Sequence, residues 1–223
     1  MGDYYKNKLS ANKLKQCYNI GSSRIQQYLR AEIDYVLEYI GPNNLVLELG
    51  CGYGRVVNDL SQHSRLTIGI DTSLGSLMHG HEYLSNKKNY ALLGMNAIQL
   101  GFRNRVFDRV VCIQNGISAF NVDRIDLVRE AIRVTKPGGI LFFSTYSASF
   151  WKERLEWFEE QAKAGLLGDI DYDKTGDGII VCKDGFRGAT VSPEQFESLR
   201  DELNLHAEIL EVDKSSILCK IYV

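Results

Sequence analysis

Residues 45–54 read LVLELGCGYG, and a second apolar run, LTIGID, ends in Asp71, seventeen positions beyond the last of the three glycines. This pairing constrains the chain more than any other feature. A short apolar strand (Leu45, Val46, Leu47, Leu49) runs into Gly50, Gly52 and Gly54 at alternate positions, and a helical pattern begins at Arg55. Glycine has no Cβ, so such a turn accepts positive φ and lets a ligand lie against the backbone. The helix start beyond it offers unpaired N–H groups to a polar or negative group. Strand, glycine turn, helix, strand, acid is the layout of a nucleoside pocket in a doubly wound sheet.

The spacing narrows the nucleoside. A dinucleotide fingerprint is G-x-G-x-x-G, and counted from Gly50 and Gly52 its third glycine falls on Arg55. The spacing present is G-x-G-x-G, with Glu48 two residues ahead. In this the chain resembles the class I S-adenosylmethionine-dependent methyltransferases. Their first motif is an acid, one residue, then G-x-G-x-G, and their second is an acid ending the next strand. Residues 94–111, GMNAIQLGFRNRVFDRVV, resemble the family's adenine-contacting segment and the start of its fourth strand. Residues 129–145, REAIRVTKPGGILFFST, resemble the helix, turn and fifth strand that follow. The resemblance runs from about residue 40 to residue 148.

Element signals agree with it. Ile25, Tyr28, Leu29, Ile33, Val36, Leu37 and Ile40 recur at helical steps, predicting a helix over 22–40 capped by Ser22 or Ser23 and ended by Gly41-Pro42. Strands are expected at 45–49, 66–70, 89–93, 108–114 and 139–145, alternating with helices at 54–62, 73–85 and 122–134. Such alternation builds a parallel sheet covered on both faces. After residue 148 come a helix over 149–165, a hairpin (GIIVCK and FRGATV) with Asp184-Gly185 as a two-residue turn, a helix opened by Ser192-Pro193, and two closing strands. The resemblance implies an α/β, doubly wound, seven-stranded, mostly parallel sheet of order 3-2-1-4-5-7-6 with the last strand antiparallel. We read a single domain: lid and helix over 1–40, cofactor core over 41–148, helix and hairpin insert over 149–192, final helix and strand pair over 193–223.

Asp71 suits two neighbouring ribose hydroxyls, which an ionised carboxylate accepts together; capping the next helix is the other reading. Glu48 either faces the cofactor's amine or holds the glycine turn. The resemblance places Gly50, Cys51, Gly52, Gly54 and Thr72 around the cofactor. It sets Asn96 where the family most often has an aspartate accepting from adenine, and Ala97 beside it. Gln114 and Asn115 follow the fourth strand, where the family places the transferred methyl. Gln114 is read as a cofactor contact, and Asn115 as a cofactor or substrate contact or a helix cap. Tyr146, past the fifth strand, faces the same crevice by position. Tyr4, Tyr5 and Tyr18 sit in an N-terminal segment that many relatives fold across the cofactor; Tyr18 and Tyr146, with Asn115, are the candidates beside the reacting atoms. The four histidines read as surface or capping residues.

A formal charge of −2 argues against a general polyanion binder, so no nucleic-acid partner is expected. No run of 18 apolar residues or charged-then-apolar leader appears, so no membrane partner is expected. Five dispersed cysteines without a C-x-x-C pair read as free thiols in a reducing, cytoplasmic compartment, and no metal site is expected. Residues 1–30 hold six bases (Lys6, Lys8, Lys13, Lys15, Arg24, Arg30) against Asp3, while residues 153–177 hold eight acids against Arg154, Lys163 and Lys174. Both read first as solvated faces, and together they do not choose a substrate. The resemblance implies S-adenosyl-L-methionine as cofactor and in-line methyl transfer to a small-molecule acceptor, by a monomer or homodimer. No confident base is visible, which favours nitrogen or sulfur over oxygen. The segment FDRVVCIQNGISAF is also similar to small-amine N-methyltransferases such as the glycine type. RNA or protein methylation, and a non-catalytic cofactor-binding subunit, are the alternatives.

Overall fold

The computed structural model describes residues 4–223, without the side chains of Lys6 and Asn7. Asp3 and the Lys6 side chain, counted above among the N-terminal charges, lie outside that description. Three helices come first: α1 (Tyr4–Asn7), α2 (Asn12–Asn19) and α3 (Ser23–Leu37), the last capped by Ser22. The alternating core follows as β1 (Leu45–Leu49), α4 (Arg55–His63), β2 (Leu66–Asp71), α5 (Leu74–Tyr83), β3 (Tyr90–Gly94), β4 (Phe107–Cys112), α6 (Gly116–Ala119), α7 (Arg124–Val134) and β5 (Thr135–Tyr146). Helix α8 (Trp151–Lys163), the short strands β6 (Ile180–Val181) and β7 (Arg187–Gly188), α9 (Pro193–Glu202), β8 (His206–Val212) and β9 (Ser216–Tyr222) complete the chain.

The main sheet has the order β3-β2-β1-β4-β5-β9-β8. This is the expected arrangement, with the two hairpin strands advancing the count. β1 to β5 pair in parallel, and β9 lies antiparallel to both β5 and β8. Strand pleating sends successive side chains to opposite faces. Val46, Val111 and Phe142 meet Ile33 and Val36 of α3 and Val56 and Leu60 of α4. Their neighbours Leu47, Val110 and Phe143 meet Leu127 and Ala131 of α7 and Phe196 of α9. β1 stands between β2 and β4, so the order reverses there and a crevice opens at the strands' carboxyl ends.

A separate apolar cluster lies over that crevice. Leu9 and Cys17 from the N-terminal segment pack with Tyr28, Phe150, Trp157, Phe158 and, from the hairpin, Phe186. The N-terminal segment is therefore more than a polar cover. Tyr4 Oη donates to Asp184 Oδ2 at 2.5 Å, and Lys8 Nζ donates to the Asp184 carbonyl at 2.7 Å. Trp157 Nε1 donates to the Cys17 carbonyl at 2.8 Å.

Three local expectations need correction. Helix α3 ends at Leu37, short of Gly41-Pro42. β5 begins at Thr135, so it includes the K-P-G-G stretch, with a register shift against β4 between Phe107 and Arg109. The hairpin does not turn on Asp184-Gly185 alone. Gly185 N–H bonds the Cys182 carbonyl at 3.1 Å, and Gly185 has φ +99°. The turn centres on Lys183-Asp184, and Gly185 takes the left-handed bulge position that follows it.

Candidate active site

A cavity of about 430 Å3 occupies the crevice beneath α1, α2 and α8. Its sheet end is built by the β1–α4 turn. Gly50, Gly52 and Gly54 have φ of +74°, +54° and +83°, a region disfavoured for residues with a Cβ. Gly50 and Gly52 line the cavity; Gly54 does not. Gly54 is the residue before α4, and an added Cβ would meet Leu84 at 2.8 Å. Its freedom serves the packing of α4, which narrows the expected ligand approach to the first two glycines.

Asp71 ends β2 and ties this turn. Oδ2 accepts the Gly52 N–H and Oδ1 the Ser73 N–H, both at 2.8 Å. Ser73, whose hydroxyl accepts the Ser76 N–H, caps α5. Asp71 is thus the brace of the turn rather than the helix cap. Each carboxylate oxygen keeps a second lone pair for the cavity. Burial pushes the Asp71 carboxyl up, and the backbone N–H donors pull the other way.

Glu48 is buried at the same end, and its Oε2 has no hydrogen-bond partner. Burial raises the carboxyl to about 8, against the pull of the Arg55 charge, and Asp71 adds to the rise. A buried orphan carboxylate oxygen is costly unless a cation or donor completes it. The residues present fit a ligand with a diol for Asp71 and a cationic group for Glu48. Thr72, Asn96 and Ala97 line the wall beyond Asp71, and the Asn96 amide oxygen accepts the Ile98 N–H at 3.2 Å. Cys51 also lines the cavity, but its side chain lies over Gly69, where an added Cβ would meet it at 2.8 Å.

Past β4, Gln114 and Asn115 both have positive φ, +58° and +66°. The Gln114 amide oxygen accepts from Arg55 Nη2, and Nε2 donates to the Leu29 carbonyl at 3.1 Å. Its backbone N–H donates to Glu32 Oε2 at 2.7 Å. Asn115 makes no side-chain cap on α6. It instead accepts from Thr145 Oγ1 at 2.8 Å and donates to the Ala189 carbonyl at 3.0 Å. Both amide ends are engaged by the protein, so Asn115 joins β5 to the segment after the hairpin while bordering the cavity.

The far end is aromatic. Tyr18 stands between Tyr53 and Trp157, with centroids 6.3 and 6.2 Å away, and the Arg55 guanidinium lies 4.6 Å above its ring. Tyr146 packs against Tyr28 at 5.3 Å; burial raises its phenol to about 12, so it stays neutral. Tyr5 also lines this end. Every candidate site residue except Gly54 and Tyr4 thus borders one cavity; Tyr4 bonds Asp184 instead, and none of the four histidines borders the cavity. Among the described residues, no three of His, Cys, Asp and Glu group as metal ligands. None of Lys8, Lys13, Lys15, Arg24 or Arg30 lines it either.

Sequence reasoning missed Arg154, Trp157 and Phe158 of α8, Tyr28 of α3, and Glu32 beneath Gln114. One signal was available. Phe150, Arg154, Trp157, Phe158 and Gln161 fall on one helical stripe, so a charge sits on an inward face.

Residues 46–139 match the model of a methyltransferase domain. A demethylmenaquinone methyltransferase of Corynebacterium kroppenstedtii is 33% identical over 106 residues, 48% of this chain and 43% of that protein. A malonyl-[acyl-carrier protein] O-methyltransferase of Marinomonas sp. is 33% identical over 121 residues, 52% of this chain and 43% of that protein. The chain thus spans less than half the length of these curated relatives. The solved structure of a Pyrococcus horikoshii protein superposes with a TM-score of 0.69 at 20% identity, covering 100% of this chain and 99% of that one, and so shares the fold. Over residues 46–139 the chain thus matches a methyltransferase domain, and its strand order and the turn braced by Asp71 are those that the resemblance to the class I S-adenosylmethionine-dependent methyltransferases implies.

Proposed function

We propose that the chain transfers a methyl group from S-adenosylmethionine to a small-molecule acceptor held at the aromatic end of the cavity. The observation that carries this is the single cavity joining Asp71, Glu48 and the glycine turn to Tyr18, Tyr146 and Trp157. In this reading Asp71 accepts the ribose hydroxyls, Glu48 pairs with the ligand's ammonium, and Asn96 and Ala97 flank the adenine. The bound sulfonium supplies an electrophilic methyl carbon. An acceptor lone pair forms the new bond to that carbon while the carbon–sulfur bond breaks, its electron pair staying on sulfur; a neutral amine then releases a proton to solvent.

The chain's own task is to orient the acceptor and exclude water, which contributes about 7–11 kcal/mol when alignment is good. The phenols around the acceptor end are neutral, and the buried carboxyls Glu32 and Glu48 are raised to about 7 and about 8, chiefly by burial. Neither carboxyl is free at the acceptor end: Glu32 holds Gln114 and Ser144, and Glu48 lies by the glycine turn. This favours an amine or thiol, which need no strong base, over a hydroxyl. The relatives named as acting on demethylmenaquinone and on malonyl-acyl carrier protein use acceptors that this reading does not carry over, since the match covers under half of each. The roof of α1, α2 and α8 favours a small acceptor over an RNA strand or a protein chain. Five free, buried cysteines support a cytoplasmic setting, and among the described residues no helix is long and apolar enough to cross a membrane.

The test is turnover. S-adenosylhomocysteine formation is expected from the full chain with a mixture of small amines and thiols. Binding of S-adenosylhomocysteine without turnover on any acceptor class would favour the non-catalytic reading.

A further inference from the structure

Arg154 is a buried cation at the acceptor end with no salt-bridge partner among the described residues; Arg55, the other cation lining the cavity, lies over Tyr18 and donates to Gln114, toward Glu48. Arg154 lies on the inner face of α8 with 1% exposure and lines the cavity. Nη1 donates to the Gly178 carbonyl and Nη2 to the Gly188 carbonyl, both at 2.9 Å. Its Nε is buried and has no hydrogen-bond partner. Tyr146, Phe158 and Trp151 surround the guanidinium, with ring centroids 4.3, 5.7 and 5.8 Å away. The ionisable groups acting on it are the phenols of Tyr146, Tyr28 and Tyr5, and burial keeps all three neutral.

Two backbone carbonyls and aromatic faces soften this charge without cancelling it. Burying a guanidinium with no counter-ion is unfavourable, and buried charges are ordinarily paired. Pinning the hairpin does not require it, since neutral donors bond carbonyls without that cost. The opposite end of the cavity holds Glu48 and Asp71. Asp71, and Glu48 once a cationic ligand ionises it, supply the negative charge where the cofactor reading puts a cation, and Arg154 supplies a positive charge where the acceptor lies. A planar guanidinium with a free N–H matches a carboxylate better than any other small anchor in an enclosed site.

We propose that the acceptor is a small carboxylate-bearing amine or thiol, anchored through its carboxylate by Arg154. The inference rests on the methyltransferase reading above and deepens it. The carboxylate is the anchor and not the nucleophile. Its pairing with Arg154 leaves the amine or thiol to reach toward the glycine turn, and the aromatic walls fix the size of what lies between.

The test is calorimetric titration of the full chain, pre-loaded with S-adenosylhomocysteine. The probes are matched pairs: glycine against glycinamide, β-alanine against its amide, 4-aminobenzoate against 4-aminobenzamide, and thioglycolate against thioglycolamide. At least one carboxylate is expected to bind about tenfold or more tighter than its amide. Arg154→Met is expected to erase that ratio and retain S-adenosylhomocysteine binding. Because Arg154 also holds two hairpin carbonyls, Arg154→Lys is measured in parallel, with a reduced but surviving ratio expected. Carboxylates that bind no better than amides, or a ratio that persists in Arg154→Met, would overturn the inference while leaving the cofactor reading intact. With S-adenosylmethionine in place of S-adenosylhomocysteine, a methyl ester formed from a carboxylate probe would also overturn it. Failure of the wild-type chain to bind S-adenosylhomocysteine would overturn both.

Discussion

Asp71 braces a turn and borders the cavity with one side chain. Its two oxygens hold the Gly52 and Ser73 N–H groups, which fixes the turn, and its remaining lone pairs face the cavity. Asp71→Ala is expected to lose two charge-assisted contacts to the cofactor ribose, each worth about 1.5–3 kcal/mol. Affinity for S-adenosylhomocysteine should therefore fall by at least about a hundredfold, measured by calorimetry on a mutant that still melts cooperatively. Unchanged affinity would remove Asp71 from the ribose. Glu48 makes a second prediction, in pH. Its carboxyl is raised to about 8 in the fold, from an ordinary 4.5. Between those values the unfolded chain binds fewer protons than the folded one, so stability falls as pH rises. The ligand-free melting temperature should drop from pH 5 to pH 8, and Glu48→Gln should flatten the drop. A cationic ligand prefers ionised Glu48, so its affinity should rise over the same interval and level off above about pH 8. A melting temperature that climbs with pH, or a Glu48→Gln slope equal to wild type, would show that Glu48 is not protonated in the fold.

At the scale of elements, the N-terminal helices and α8 roof the aromatic end of the cavity. Tyr4 and Lys8 fasten α1 to the hairpin through Asp184, and Trp157 fastens α8 to α2. A roof of this kind excludes water and positions the acceptor. Deleting residues 1–20 is expected to cut methyl transfer at least about tenfold while cofactor affinity changes much less. The melting temperature should also fall, because Leu9 and Cys17 are buried beneath the roof. Full-length turnover by the truncated chain would make the segment a tail and remove Tyr18 from the site. The strands and helices of the core were legible because each carries its own signal: alternating or continuous apolar runs, glycines at the turn, Ser192 as a cap. The roof was legible only in part. Tyr18 stood out as an aromatic in a polar segment, but the burial of Leu9 and Cys17 also draws on packing against residues such as Phe150 and Trp157, about 140 positions away, which local pattern does not encode. Arg154 was read with the solvated charges for the same reason. Its neighbours Lys152 and Glu156 are exposed, and only its place on the Trp157–Phe158 stripe separates it from them.

Taken whole, the molecule is a doubly wound sheet whose order reverses at β1, with a chamber at that reversal. Glu48 and Asp71 stand at one end and Arg154 at the other. The resemblance of residues 40–148 fixes the first end well, since motif and structure coincide there. The second end is built by α1, α2, α8 and the hairpin, which lie outside the matched segment 46–139 and form the acceptor site of the proposed reading. The central claim is that this chamber methylates a small molecule. The most direct measurement supplies the full chain with S-adenosylmethionine carrying an isotopically labelled methyl group, together with a cell extract separated into small-molecule, RNA and protein fractions, and follows the label. The account predicts label in the small-molecule fraction, in a compound whose methyl is bonded to nitrogen or sulfur, and its loss with Asp71→Ala. Label confined to RNA or protein, or cofactor bound with no label transferred to any fraction, would contradict it.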